Sequence, residues 1–87
     1  MNVQRLKSLM INDEGFAFDP RSGHTYNLNA TGLLAINCLK GGASTVETIK
    51  ALMQEFDVDE QMADRDLEAF CNDLQRLRLV ETEGASE

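Results

Sequence analysis

At 87 residues and 9.7 kDa the chain has room for one small core, and a domain of this size buries only about 60–65% of the surface its unfolded chain exposes. A large enzyme with a deep pocket built from its own chain is not expected. Eight basic against fifteen acidic residues give a net charge of −7 and a pI near 4.5. That balance argues against nucleic-acid backbones and anionic membranes, where Lys and Arg supply most of the attraction.

A hydrophobic content of 43% is enough for a packed core and argues against wholesale disorder. Cys38 and Cys71 are the only cysteines. They are far apart and each sits in an apolar helical pattern, which fits small core residues better than a secreted disulfide scaffold. The first fifteen residues lack the apolar run of a signal peptide, and no segment approaches the roughly 18 apolar residues of a membrane span. A cytoplasmic domain is the expectation.

Up to Asn29 the signals are those of strands and turns. Leu6, Met10 and Ile11 lie in a short apolar stretch that stops at the turn cluster Asn12-Asp13-Glu14-Gly15. Phe16-Ala17-Phe18 follows, with both aromatics on one face at a period of two. Asp19-Pro20-Arg21-Ser22-Gly23 is a strong turn, and His24-Thr25-Tyr26-Asn27-Leu28 resumes the alternation with Tyr26 and Leu28 on the same side. This pattern predicts two or three short antiparallel strands, the last pair a hairpin. Such a hairpin needs a helical layer beneath it.

From Ala30 the period becomes helical. Asn29 can cap a helix through Leu33, Ile36 and Leu39 that stops at Gly41-Gly42. Ser44-Thr45-Val46-Glu47 is a capping box. It opens a second helix whose stripe is Val46, Ile49, Leu52, Met53 and Phe56. Asp59 can cap a third helix from about Glu60 to Arg78. At about 100° per residue, Ala63, Leu67, Phe70, Cys71, Leu74 and Leu77 form its core face, with Arg65, Glu68, Asn72 and Arg76 opposite. One flank, Met62, Asp66, Ala69 and Asp73, is neither core nor fully polar. Leu79 and Val80 close the core. One domain over residues 1–80 is expected, with Glu81–Glu87 an acidic, frayed tail. The fold class is α+β: a winged helix-turn-helix with an N-terminal antiparallel hairpin or three-stranded wing, followed by three helices.

The inventory for catalysis is thin. His24, the only histidine, stands at a turn with no nucleophile or carboxylate that the sequence places beside it. No three or four ligands have metal spacing, and Gly41-Gly42 follows a helix without the Lys-Ser/Thr of a phosphate loop. No catalytic residue, metal or cofactor is expected. Ser44 stands at a helix start, where an acyl-carrier protein holds its phosphopantetheine, but lacks the flanking Asp and Leu of those proteins. Between Ala43 and Gln75 nine acids face only Lys50 and Arg65. Most fit solvated helix faces and helix N-termini. On a DNA-reading third helix they would meet phosphates, so DNA binding is disfavoured.

Peptide or protein recognition remains. A short hairpin leaves an edge, and Thr25–Leu28 is the candidate. The mixed flank of the third helix could form the other wall of a groove into which an extended peptide adds as a strand. Alternatively, Leu6–Ile11 covers that edge and the flank is ordinary surface. A winged-helix regulator acting through protein partners or, less readily, DNA is the competing function.

Several stretches resemble the PqqD family, the small D proteins of pyrroloquinoline quinone biosynthesis, whose fold is also called the RiPP recognition element. They are Phe16-Ala17-Phe18-Asp19-Pro20, Arg21-Ser22-Gly23, Leu28-Asn29 before Thr31-Gly32, and Gly41-Gly42 before Thr45-Val46-Glu47-Thr48-Ile49. Phe56-Asp57-Val58-Asp59, Asp66-Leu67, Phe70 through Leu74 and Leu77 to Leu79-Val80 extend the likeness over residues 6–80. The turns at Asn12–Gly15 and Asp19–Gly23 look more like a divergent branch than like the members of the cofactor pathway. The resemblance implies a noncatalytic peptide chaperone, a monomer or weak dimer, that binds the leader of a precursor peptide. It would present that peptide to a modifying enzyme such as a radical SAM protein. It also implies that the leader lies along Thr25, Tyr26, Asn27 and Leu28, facing Asp66, Ala69, Phe70 and Asp73. Asp66 and Asp73 would favour basic leader side chains, and Phe70 or Leu74 would supply the apolar floor.

Overall fold

The computed structural model describes residues 3–80; the expected acidic tail, residues 81–87, lies outside them. The chain opens with a 3-10 turn, Gln4–Ser8, where strand signals were expected. Its cause is the spacing of Leu6 and Leu9: three residues apart, both bury on the same side, which strand alternation would not allow. The Ser8 hydroxyl donates to the Arg5 carbonyl at 2.8 Å and tightens the turn.

Three strands follow: β1 (Met10–Ile11), β2 (Phe16–Phe18) and β3 (Thr25–Asn27). They form an antiparallel sheet in the order β1-β2-β3. Met10 lies opposite Phe18, and Phe18 opposite Thr25; Phe16 lies opposite Asn27. In the first turn, Asn12 Oδ1 accepts the backbone N–H groups of Glu14 and Phe16, both at 3.0 Å. Gly15 there sits at φ 94°, and a Cβ on it would run into the Leu28 carbonyl. In the second turn Asp19 plays the organising part: its carboxylate accepts from the Arg21 N–H at 2.9 Å, the Ser22 hydroxyl at 3.1 Å and the Arg5 guanidinium at 3.3 Å.

The three helices are α1 (Ala30–Lys40), α2 (Thr45–Phe56) and α3 (Glu60–Arg76). The expected caps are all made. Asn29 accepts from the Gly32 N–H at 2.7 Å and Asp59 from the Met62 N–H at 2.8 Å. The Ser44–Glu47 box closes reciprocally at 3.0 and 2.8 Å. The third helix ends two residues short of Arg78. Arg78 turns left-handed at φ 63°, and the Leu79 N–H reaches back to the Leu74 carbonyl at 2.8 Å. This reversal returns Leu79 and Val80 to the core.

Leu6, Leu9, Ile36, Leu39, Leu74, Leu79 and Val80 pack together beneath the sheet. Ala35, Leu52, Ala63 and Leu67 join α1, α2 and α3. Lys40 Nζ donates to the Leu9 carbonyl at 2.9 Å, fastening the end of α1 to the entry of β1.

Two apolar assignments need correction, and the direction in which a third pair faces is now fixed. Val46, placed on the α2 stripe, is 59% exposed because the first turn of α2 buries Thr48 instead, and two residues apart on a helix lie on nearly opposite sides. Leu77 is exposed because α3 stops before it. Phe16 and Phe18 do share a face, but it is the outer one, and Ala17 is the residue that β2 buries. Both cysteines are free and half-buried, and burial pushes the Cys71 thiol above its ordinary pKa.

Candidate groove between the sheet edge and the third helix

Strand order decides which edge is open. The first strand pairs with β2 on the side away from β3, so Leu6–Ile11 does not cover Thr25–Leu28. The Leu28 N–H donates to the Gly15 carbonyl at 2.7 Å and the Asp19 N–H to the His24 carbonyl at 2.9 Å. In an antiparallel ladder, hydrogen-bonded pairs alternate with non-bonded ones, which makes Ala17 and Tyr26 the bonded pair between these two. The backbone N–H and C=O of Thr25 and Asn27 therefore point away from β2, to the open edge. The Tyr26 and Leu28 side chains turn inward against the core, while those of Thr25 and Asn27 are exposed.

That edge faces α3 across a groove of about 430 Å³. Thr25, Tyr26, Asn27 and Leu28 form one wall; Phe70, Asp73, Leu74 and Leu77 form the other, with Ala17 and Ile36 also in the lining. A second concavity of about 290 Å³ contains Asp66, Ala69, Phe70 and Asp73 with Asn29 and Thr31 from the start of α1. Phe70, Asp73, Asn29 and Gly32 line both hollows, so they are continuous. Of the eight expected site residues, six line the larger hollow; Asp66 and Ala69 lie in its extension.

Gly32 shapes the junction. A Cβ at this position would stand 3.2 Å from Phe70 Cε1, so the missing side chain is what lets the Phe70 ring lie against α1. Asn29 Oδ1 is equally close, so one short stretch both caps α1 and seats the ring. Sequence reasoning missed Leu9, Ala17, Ile36 and Leu79 as lining residues, along with Leu77 as an exposed wall. Ile36, Leu77 and Leu79 looked like ordinary core, and only the position of the gap distinguishes a core side chain from a groove side chain.

The rim is acidic. Asp73 accepts from Arg76 Nη2 at 2.9 Å, but both groups are exposed, and surface pairs of this kind are weak. A basic peptide side chain could compete for Asp73 and reach Asp66 nearby. His24 is exposed and meets only the Tyr26 ring edge-on, centroids 6.4 Å apart. Among the described residues no cluster of three or more His, Cys, Asp or Glu side chains could hold a metal ion. No described helix is long and apolar enough to cross a membrane.

Comparison with known proteins agrees with this architecture. A solved lasso peptide synthetase B1, complexed with the leader peptide, is 31% identical, with 80% of this chain and 84% of that chain covered and a TM-score of 0.68. TbiB1 in complex with the TbiA(beta) leader peptide shares the fold, with 23% identity, full coverage of both chains and a TM-score of 0.78. No curated protein matches the chain. The family model of coenzyme PQQ synthesis protein D matches residues 14–80. With that span covering β2, β3, all three helices and both walls of the groove, the chain belongs to the PqqD family.

Proposed function

We propose that this protein is a noncatalytic chaperone that holds the leader of a ribosomally made precursor peptide and presents it to a modifying enzyme. The observation that carries this reading is the open β3 edge facing α3 across an apolar-floored groove. Strand addition needs both parts. The outward N–H and C=O groups of Thr25 and Asn27 supply sequence-independent backbone bonds, and the groove supplies side-chain selection. Tyr26, Leu28, Phe70 and Leu74 would take an apolar leader side chain. Asp66 and Asp73 would favour a basic one further along.

The leader peptides held by the two structural neighbours support the same assignment. The relative at 31% identity favours a precursor of the lasso peptide class, with a radical SAM enzyme as the other type of receiver. The test is backbone amide shift mapping of isotope-labelled protein with a synthetic leader from the precursor encoded beside its gene. Shifts are expected at Thr25–Leu28 and along Asp66–Leu74. Shifts confined elsewhere, or none at saturating peptide, would reject the reading.

A further inference from the structure

A strand added at β3 has a defined register of faces. Tyr26 and Leu28 turn their side chains inward, and Thr25 and Asn27 turn theirs out. Residues directly opposite each other in a ladder put their side chains on the same face. The leader residues opposite Tyr26 and Leu28 therefore both point into the groove, and the residue between them points out. Tyr26 and Leu28 bond toward β2, so on the open edge they make non-bonded pairs, in which facing side chains stand closest.

These two inward positions meet different surroundings. Tyr26 borders the larger hollow alone, whereas Leu28 is followed by Asn29, which lines both hollows. A leader side chain opposite Tyr26 enters the larger hollow. One opposite Leu28 faces the junction, and a long one reaches through it toward Asp66 and Ala69.

Gly32 stands at that junction, buried and lining both hollows. A Cβ built on it would lie 3.2 Å from Phe70 Cε1 and 3.6 Å from Phe70 Cδ1. The first distance is tighter than the ordinary contact between carbons, about 3.5–4.0 Å. On the other side Asn29 Oδ1, also at 3.2 Å, is fixed by its bond to the Gly32 N–H. The Phe70 ring is the neighbour with room to give, because its open side is the groove itself. A methyl group at this position would thus push the ring into the passage and narrow it. Glycine weakens a helix relative to alanine, so the needs of α1 do not account for the missing side chain.

Given leader binding at β3, on which this rests, we propose that Gly32 is a specificity-determining residue. By leaving the Phe70 ring against α1 it keeps the two hollows joined, so that one extended leader fills both with side chains two residues apart. The position opposite Leu28 accepts a long side chain only while residue 32 carries none.

An alanine scan of a synthetic leader from the precursor encoded beside the gene, read by calorimetric titration against the full chain, tests this. With the wild-type protein, two leader positions separated by one residue should each lose about tenfold in affinity on truncation. With Gly32→Ala the intact leader should bind about tenfold more weakly. One of the two positions should become indifferent to truncation, and the other should keep its full effect. Adding Phe70→Leu, a smaller and more flexible side chain, should restore sensitivity at the silent position whatever the overall affinity. The melting temperature of Gly32→Ala should equal or exceed that of the wild type, which separates a narrowed passage from a damaged fold.

If the wild type binds but its two sensitive positions are not two residues apart, the proposal is overturned and leader binding stands. The same holds if Gly32→Ala scans like the wild type, loses both positions alike or is not rescued by Phe70→Leu. A marked fall in its melting temperature would make Gly32 a packing residue and overturn the proposal as well. A wild-type protein without affinity for the leader removes the chaperone reading, and this role with it.

Discussion

Asp19 is 2% exposed and holds the β2–β3 turn to the opening 3-10 turn. Its carboxyl lies below the ordinary aspartate value, chiefly because the Arg21 N–H bonds the charged form. Burial opposes that shift, and the Ser22 hydroxyl and the Arg5 charge reinforce it. The sign follows from linkage: a group whose pKa is lower folded than unfolded stabilises the fold at neutral pH, and this contribution fades as pH falls below about 3.9. Asp19→Asn should therefore lower the thermal midpoint at pH 7. The gap to the parent protein should shrink as melts are repeated at increasingly acid pH; a gap independent of pH would mean the carboxylate charge is not what matters. Asp19 also shows how far local reading extends. The Arg21 and Ser22 bonds follow from turn chemistry two and three residues away. The Arg5 bond spans fourteen residues and no local pattern announces it.

At the scale of elements, β3 has only three residues, yet its two edges differ in kind. One is bonded to β2, and the other carries the groups of Thr25 and Asn27. Proline is tolerated where its missing N–H would have faced away from the ladder. Asn27→Pro should thus leave the sheet folded while weakening leader binding by about tenfold, the worth of one backbone hydrogen bond. Tyr26→Pro removes a bond to β2 and should disrupt the wing itself. Calorimetric titration with a synthetic leader, alongside circular dichroism, separates the two. Unchanged affinity in Asn27→Pro would remove that N–H from the peptide contacts. The helices were the most legible elements: Asn29, Ser44 with Glu47, and Asp59 each satisfy backbone donors within three residues. The 3-10 turn and the early end of α3 were not, because both are set by how Leu6, Leu9, Leu79 and Val80 reach a common core.

For the whole molecule, a ligand that binds only the folded state adds about 2.7 kcal/mol when present at 100 times its Kd. In a domain this small that should raise the melting temperature by roughly 10 °C or more. A leader with a basic residue facing Asp66 and Asp73 should give the larger rise, and the advantage should shrink with added salt. Equal shifts for basic and neutral leaders would assign binding to the apolar floor alone. The sequence by itself determined the class of the molecule: a small acidic chain with a β wing before three capped helices, the third carrying a mixed flank. These properties reside in composition, turn chemistry and period, which act over a few residues. Only the tertiary structure decided that β3 and not β1 borders the groove, and that Ala17 faces inward while Phe16 and Phe18 face outward. It also made Leu77 a groove wall. Periodicity divides a strand or helix into faces about its own axis, but which face finds a partner depends on elements that meet only when the whole chain packs.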